Sequence, residues 1–215
     1  MEKDCRAQRG SAEVATVVVR ADAHPEKPLA PRLPFVSETP DDQELAAVFA
    51  RLRSRWRGAP VLHLYRLLGW APRLVGPWLD FASALRFRVD AKASLRELLI
   101  VRSGRLLGAE YEWKHHWTLA LEAGVSESKL QALDDWRTNT MFDASERAVL
   151  GLADETALGA GATETTMREL ATHFSKQEII ELVVTAGYYA GVSRIINSLA
   201  VPLEDGHESM SPRDS

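Results

Sequence analysis

SLRELLIVRSGRLLGAEYEWKHHW, residues 94–117, joins two different kinds of helix across a single glycine. The first half reads as a helix opened by a capping box, Ser94 to Glu97. Its run Leu98–Val101 is apolar on every side, which predicts burial all round. Gly108 breaks the pattern, and a second helix then runs to Gly124, a natural C-cap. That second helix is unlike the first. Within ten residues, 108–117, it carries two carboxylates, two adjacent imidazoles, a phenol and two indoles.

Residues three and four apart share a helix face. Ala109, Glu112 and His116 therefore form one stripe, and Tyr111 and His115 form its neighbour. Glu110 and Lys114 point elsewhere. A glutamate one turn from a histidine can fix its tautomer and raise its basicity, leaving the other ring nitrogen free to move protons. Glu97, just ahead of the apolar run on the preceding helix, would face Glu112 or His116 if the two helices pack as a hairpin. Burial would then raise its pKa, and two carboxylates sharing one dry site rarely both stay ionised. Other readings use the same residues. Glu97 could serve only its capping box, His115 and His116 could be a solvated face with Lys114, and Trp113 and Trp117 could be core.

A metal site is the rival chemistry, because Glu112 and His115 have the Glu-x-x-His spacing of di-iron bundles. Such sites need a second copy on another core helix. The other match, Glu204 to His207, falls after Pro202 in what reads as a polar tail, so no metal and no cofactor are expected.

Around this hairpin the chain reads as all-α. DDQELAAVFARLRSRW predicts a helix over 41–56, and the stretch 59–89 a short helix broken at Gly69 and a second opening at Pro72, where proline suits the first turn. Further helices are predicted from Ser126, from Asp143 and near Thr166. The last, 175–201, has its own capping box, Ser175 to Glu178, and stays apolar for about seven turns. It exceeds what one small bundle covers, which points to a subunit interface. RELLIV at 96–101 and IELVV at 180–184 echo each other too briefly to mark a duplication.

The 215 residues suit one domain, over 34–205, with a flexible extension at 1–33 rich in charge and proline and a disordered tail at 206–215. VVV at 17–19 could add an edge strand. The net charge of −4 gives no basic surplus for nucleic acid. Cys5 is the one cysteine, so there is no internal disulfide or redox pair. With no signal peptide and nothing resembling eighteen apolar residues in a membrane span, the expected setting is cytoplasmic, away from membranes.

LRELLIVRSGRLLGAEYEWKHHWTLALEAGVS, residues 95–126, resembles the carboxymuconolactone decarboxylase family, which includes the alkylhydroperoxidase AhpD. PRLPF (31–35), VLHLYRLLGWAPRLVGPWLDFASALRF (61–87) and ELVVTAGYYAGVSRIINSLAVPLE (181–204) resemble its flanking helices, extending the likeness over about 32–205. In the peroxidase branch a glutamate is followed, after eleven residues, by Cys-x-x-Cys-x-x-x-His. The glutamate falls on Glu97, the cysteines on Ala109 and Glu112, and the histidine on His116. Both sulfurs are absent, so dithiol peroxidase chemistry by that route is excluded.

The resemblance implies an AhpD-like helical bundle assembling as a homo-oligomer, a trimer or hexamer. It also implies a cysteine-free, cofactor-independent site that moves protons on a small oxygenated or carboxylated molecule. Glu97, Tyr111, Glu112, His115 and His116 are then the candidate catalytic residues, with His116 as proton donor, Glu112 orienting it, and Tyr111 or His115 polarising a carbonyl. Tyr65, Trp78, Phe81 and Trp113 are candidate substrate walls. Arg86, Arg96, Arg102 and Arg194 are candidates for an anion clamp, each read in preference as a surface charge. The alternative is a ligand-binding or structural relative in which the polar cluster only stabilises the hairpin.

Overall fold

In a computed structural model of the chain, residues 30–55 and 59–205 are described. The expectations for Cys5, for VVV at 17–19, for most of the 1–33 extension and for the 206–215 tail lie outside them. The described residues form nine α-helices, one short 3-10 turn (Ala132–Asp135) and no strand. The helices are α1 (Gln43–Arg55), α2 (His63–Leu68), α3 (Pro72–Phe87), α4 (Ala93–Leu106), α5 (Glu110–Glu122), α6 (Glu127–Gln131), α7 (Ala144–Leu158), α8 (Glu164–His173) and α9 (Lys176–Leu199).

The all-round apolar run makes α4 the central helix. Every residue from Leu95 to Gly104 is buried. Leu99 and Ile100 belong to a core shared with α7, α8 and α9, while Leu98 and Val101 belong to another built with Trp117, Leu130, Leu133, Trp136 and Leu150. A third core joins α1 and α2 to Val75 and Leu79 of α3. Burying each such aliphatic side chain contributes about 1.5–3 kcal/mol, which fixes the element between its neighbours.

Two glycines let α5 fold back on α4. Gly108 takes a left-handed φ of 63°, which turns the chain so that the Ala109 N–H reaches the Gly104 carbonyl at 2.8 Å. At Gly104 itself a β-carbon would stand 3.0 Å from Trp113 Cβ and 3.1 Å from its backbone nitrogen. Hydrogen there permits the close helix crossing that aligns the two polar faces.

The helix starts separate two outcomes for one sequence pattern. Ser175 and Asp143 each form a full capping box, with Glu178 and Glu146. Ser94 does not. The chain turns helical at Ala93, one residue ahead of it, so Lys92 occupies the cap position without a side-chain bond, and Glu97 is released from the role the spacing assigned it.

The sequence also understated α9. By length and composition it could cross a membrane, yet half of its most apolar window is buried inside the molecule, as in a core helix. Its buried face includes Thr185, Tyr189 and Ser193. Ala200 ends it in the left-handed region, φ 51° and ψ 51°, and sends Val201–Glu204 back across the bundle.

Candidate active site

α4 and α5 bring Glu97, Glu112 and His116 together in the interior. The His116 Nδ1 lies 2.6 Å from Glu97 Oε2, and its Nε2 lies 3.2 Å from Glu112 Oε1. All three side chains are buried. The one-turn pairing of Glu112 with His116 is present, but the expectation of a free second ring nitrogen is corrected. Glu97 occupies it, because the helix hairpin sets the head of α4 against the first turns of α5.

Burial opposes a charge on His116. The negative charge of Glu97 and the hydrogen bonds to Glu112 and Glu97 outweigh it, holding the imidazole pKa up at about 9. At neutral pH it is an imidazolium between two carboxylates, a stored proton in a dry setting. The edge of the Tyr189 ring meets the imidazole at 4.9 Å between centroids. Burial, with the Glu112 and Glu97 charges nearby, pushes the Tyr189 phenol well above its usual range, so it keeps its proton.

Tyr111 and His115 form a separate group. Their rings stack at 4.3 Å, the Tyr111 hydroxyl donates to Glu204 Oε1 at 2.8 Å, and His115 Nε2 lies 2.9 Å from Glu204 Oε2. Glu204 also accepts the His63 N–H at 2.7 Å. Burial raises its pKa, but the hydrogen bond and charge of His115, with the His63 and Tyr111 donors, outweigh this and take the carboxyl down to about 2. Burial and the same carboxylate push the Tyr111 phenol well above its usual range. Glu204 was read as tail. It belongs instead to the folded body, while His207 lies outside the described residues.

The expected walls divide. Trp78 and Phe81 of α3 pack on Tyr188 of α9, at 5.1 and 5.4 Å, and Tyr188 meets Tyr189 edge-on at 5.1 Å. A continuous aromatic path thus runs from the half-exposed Phe81 to His116. Tyr65 is buried in the core with α1 and α3. Trp113 stands apart, against Gly104 and Trp117. Sequence reading missed Tyr188 and Tyr189, although the YY pair sits in the middle of the most apolar helix, where two phenols call for explanation.

The solvated-face reading of His116 with Lys114 is corrected, since both are buried and Lys114 pairs with Glu110 at 2.7 Å. Two of the four arginines are likewise not surface charges. Arg96 donates to the carbonyls of Ala91, Leu85 and Arg86, and Arg102 pairs with Asp154 at 2.7 Å. Arg194 reaches the Ala157 carbonyl at 2.8 Å.

Residues 72–155 match the model of the carboxymuconolactone decarboxylase family. This part of the chain is similar to that family. The matched segment holds Glu97, Glu112 and His116. No curated protein matches the chain. Among solved structures, an uncharacterised peroxidase-related protein with an AhpD core from Ralstonia eutropha JMP134 is similar, with a TM-score of 0.71, 16% identity, and coverage of 86% of this chain and 96% of that one. A peroxidase-related protein from Silicibacter sp. TM1040 gives 0.70 at 16% identity, covering 87% and 98%. The debrominase Bmp8, solved as a cysteine-to-alanine variant with 2,3,4-tribromopyrrole, gives 0.69 at 18% identity, covering 83% and 95%. These likenesses establish the AhpD-like all-α fold.

Proposed function

We propose that this chain is a cofactor-independent acid–base enzyme of the carboxymuconolactone decarboxylase family, a lyase or a related isomerase or hydrolase, acting on a small oxygenated or carboxylated molecule. The observation that carries this reading is the buried His116 ring held between Glu97 and Glu112, at 2.6 and 3.2 Å. In the decarboxylation of an unsaturated lactone acid, the bond to the carboxylate breaks, CO₂ leaves, and its electron pair moves into the conjugated carbonyl. A proton must then be delivered to carbon. Glu97 orients the ring through Nδ1, and the proton on Nε2, shared with Glu112, is the one delivered. The division of labour differs from the simplest sequence reading, in which Glu112 alone did the orienting.

That Bmp8 holds a tribromopyrrole supports a small ring compound as ligand for this fold. We further propose that copies of the chain assemble as a trimer or hexamer through α9, where Ile180 and Val184 are exposed and a β-carbon at Gly187 or Gly191 would meet open space.

The test is a screen of five-membered lactone carboxylic acids for CO₂ release in D₂O. Deuterium should appear at one end of the dienolate, the carbon that lost CO₂ or the conjugated carbon next to the carbonyl, and His116→Gln should lower turnover by roughly 10²–10⁴-fold, the usual worth of acid–base catalysis. Turnover indifferent to both His116→Gln and Glu112→Gln would remove the proton-transfer reading and leave the polar cluster a structural one.

A further inference from the structure

α3 and α9 run antiparallel beside the site, and two contacts fix their register. Near one end Glu181 Oε2 accepts the N–H groups of Asp90 and Ala91, both at 2.8 Å. Near the other, Tyr188 meets Trp78 and Phe81. Arg86 lies between these pins. It is two turns along α3 from Trp78, with Ala82 at the intervening turn, so all three share the face turned toward α9. Its backbone carbonyl is tied to the site as well, accepting from Arg96 Nη2 at 3.2 Å, one residue before Glu97.

Arg86 is half-buried, and its guanidinium lies over the Phe87 ring, 5.1 Å from the centroid. Among the described residues no carboxylate stands within ion-pair distance of it. Arg51, Arg66, Arg102, Arg105 and Arg137, in contrast, each have an acidic partner. A half-buried guanidinium with five donors and no acidic partner gains most from a planar oxyanion that engages it bidentately. The charge of Arg86 is also felt at the Tyr189 phenol, the ring that abuts His116.

We infer that Arg86 is the anion-recognising residue of this site, binding a carboxylate on the ligand whose ring rests against Trp78 and Tyr188. This assignment rests on the proposed function for the identity of the site, and adds the residue that would select carboxylated over neutral molecules there. It takes up, for Arg86, the anion-clamp alternative to the surface-charge reading. Arg96 is committed elsewhere, because each of its three guanidinium nitrogens already donates to a backbone carbonyl.

The test uses the full chain, with benzoate and its neutral analogue benzamide as probes, followed by the ring resonances of Tyr188 and Tyr189. Wild type should bind benzoate at least about tenfold more tightly than benzamide, the worth of one charge-assisted contact. Arg86→Gln should abolish that preference while leaving benzamide binding and the thermal midpoint unchanged, and Arg86→Lys should keep part of it. His116→Gln should retain the preference, so that failed catalysis and failed anion recognition give different results. Equal binding of the two probes, no binding of either, or a preference that survives in Arg86→Gln overturns the assignment. So does a change in assembly state of Arg86→Gln by sedimentation, which would place a second copy on the guanidinium.

Discussion

At neutral pH His116 holds a proton that a free imidazole has mostly given up, and this links it to stability. Its folded pKa of about 9 exceeds the ordinary 6.5, so the folded state binds the proton more tightly. The resulting stabilisation is complete below 6.5 and disappears as pH rises through 9. Urea titrations should show stability falling across that window, and His116→Gln should flatten the decline. Glu97→Gln leaves the imidazolium buried with one carboxylate fewer, and should cost about 3 kcal/mol or more while lowering the His116 pKa seen by NMR.

Ser94 gives a complementary test. A true cap would cost about 1 kcal/mol on replacement by alanine, but a serine inside the first turn without a cap bond should cost less than about 0.5 kcal/mol. The sequence rule succeeded at Ser175 and Asp143 and failed here for a local reason. The box pattern makes the serine the cap, and the cap of α4 falls two residues sooner, at Lys92. The failure is informative, since it leaves Glu97 available to His116. The sulfur-free positions were fully legible, and hydroperoxide reduction should be no faster in wild type than in Cys5→Ser, by a coupled peroxide assay.

At the scale of elements, the hairpin α4–α5 depends on close approach. Gly104→Ala would drive a β-carbon against the Trp113 backbone, which cannot rotate away, and thermal unfolding should show a loss of about 1–3 kcal/mol. Helix positions were readable because burial imposes a 3.6-residue period on them. The Glu204 strap was not, because its reason for ordering lies in other elements: His63 on α2, and Tyr111 and His115 on α5. A short polar segment after Pro202 has no period to announce a docked state. Glu204 has a folded pKa of about 2 against an ordinary 4.5, so its contribution is present above 4.5 and lost as pH falls through 2. Glu204→Gln should therefore weaken the protein at neutral pH and remove this part of its acid sensitivity, while His115→Ala should affect turnover less than His116→Gln does.

For the whole molecule, assembly through α9 predicts sedimentation above monomer mass at micromolar concentration. Ile180→Glu with Val184→Glu should shift it toward monomer, and a wild-type chain already monomeric would count against the interface. What sequence could not supply at this scale is the pairing of distant helices. The YY pair becomes meaningful only when α3 lies antiparallel to α9 and Trp78 and Phe81 arrive beside Tyr188.

One contact spans nearly the entire described chain. The Arg32 N–H donates to the Leu199 carbonyl at 3.0 Å, and its guanidinium to the Ser198 carbonyl at 2.9 Å, so the lead-in to the first helices meets the end of the last. Chain connectivity and spatial neighbourhood are thereby decoupled. A circular permutant that joins these neighbouring segments through a short glycine linker, and opens between the exposed Ala160 and Gly161, should fold to the same helical content, because no buried backbone bond is cut at the new termini. Such a permutant would place new ends between α7 and α8, away from the α4–α5 hairpin, and give a point of attachment for labels that leaves His116 undisturbed.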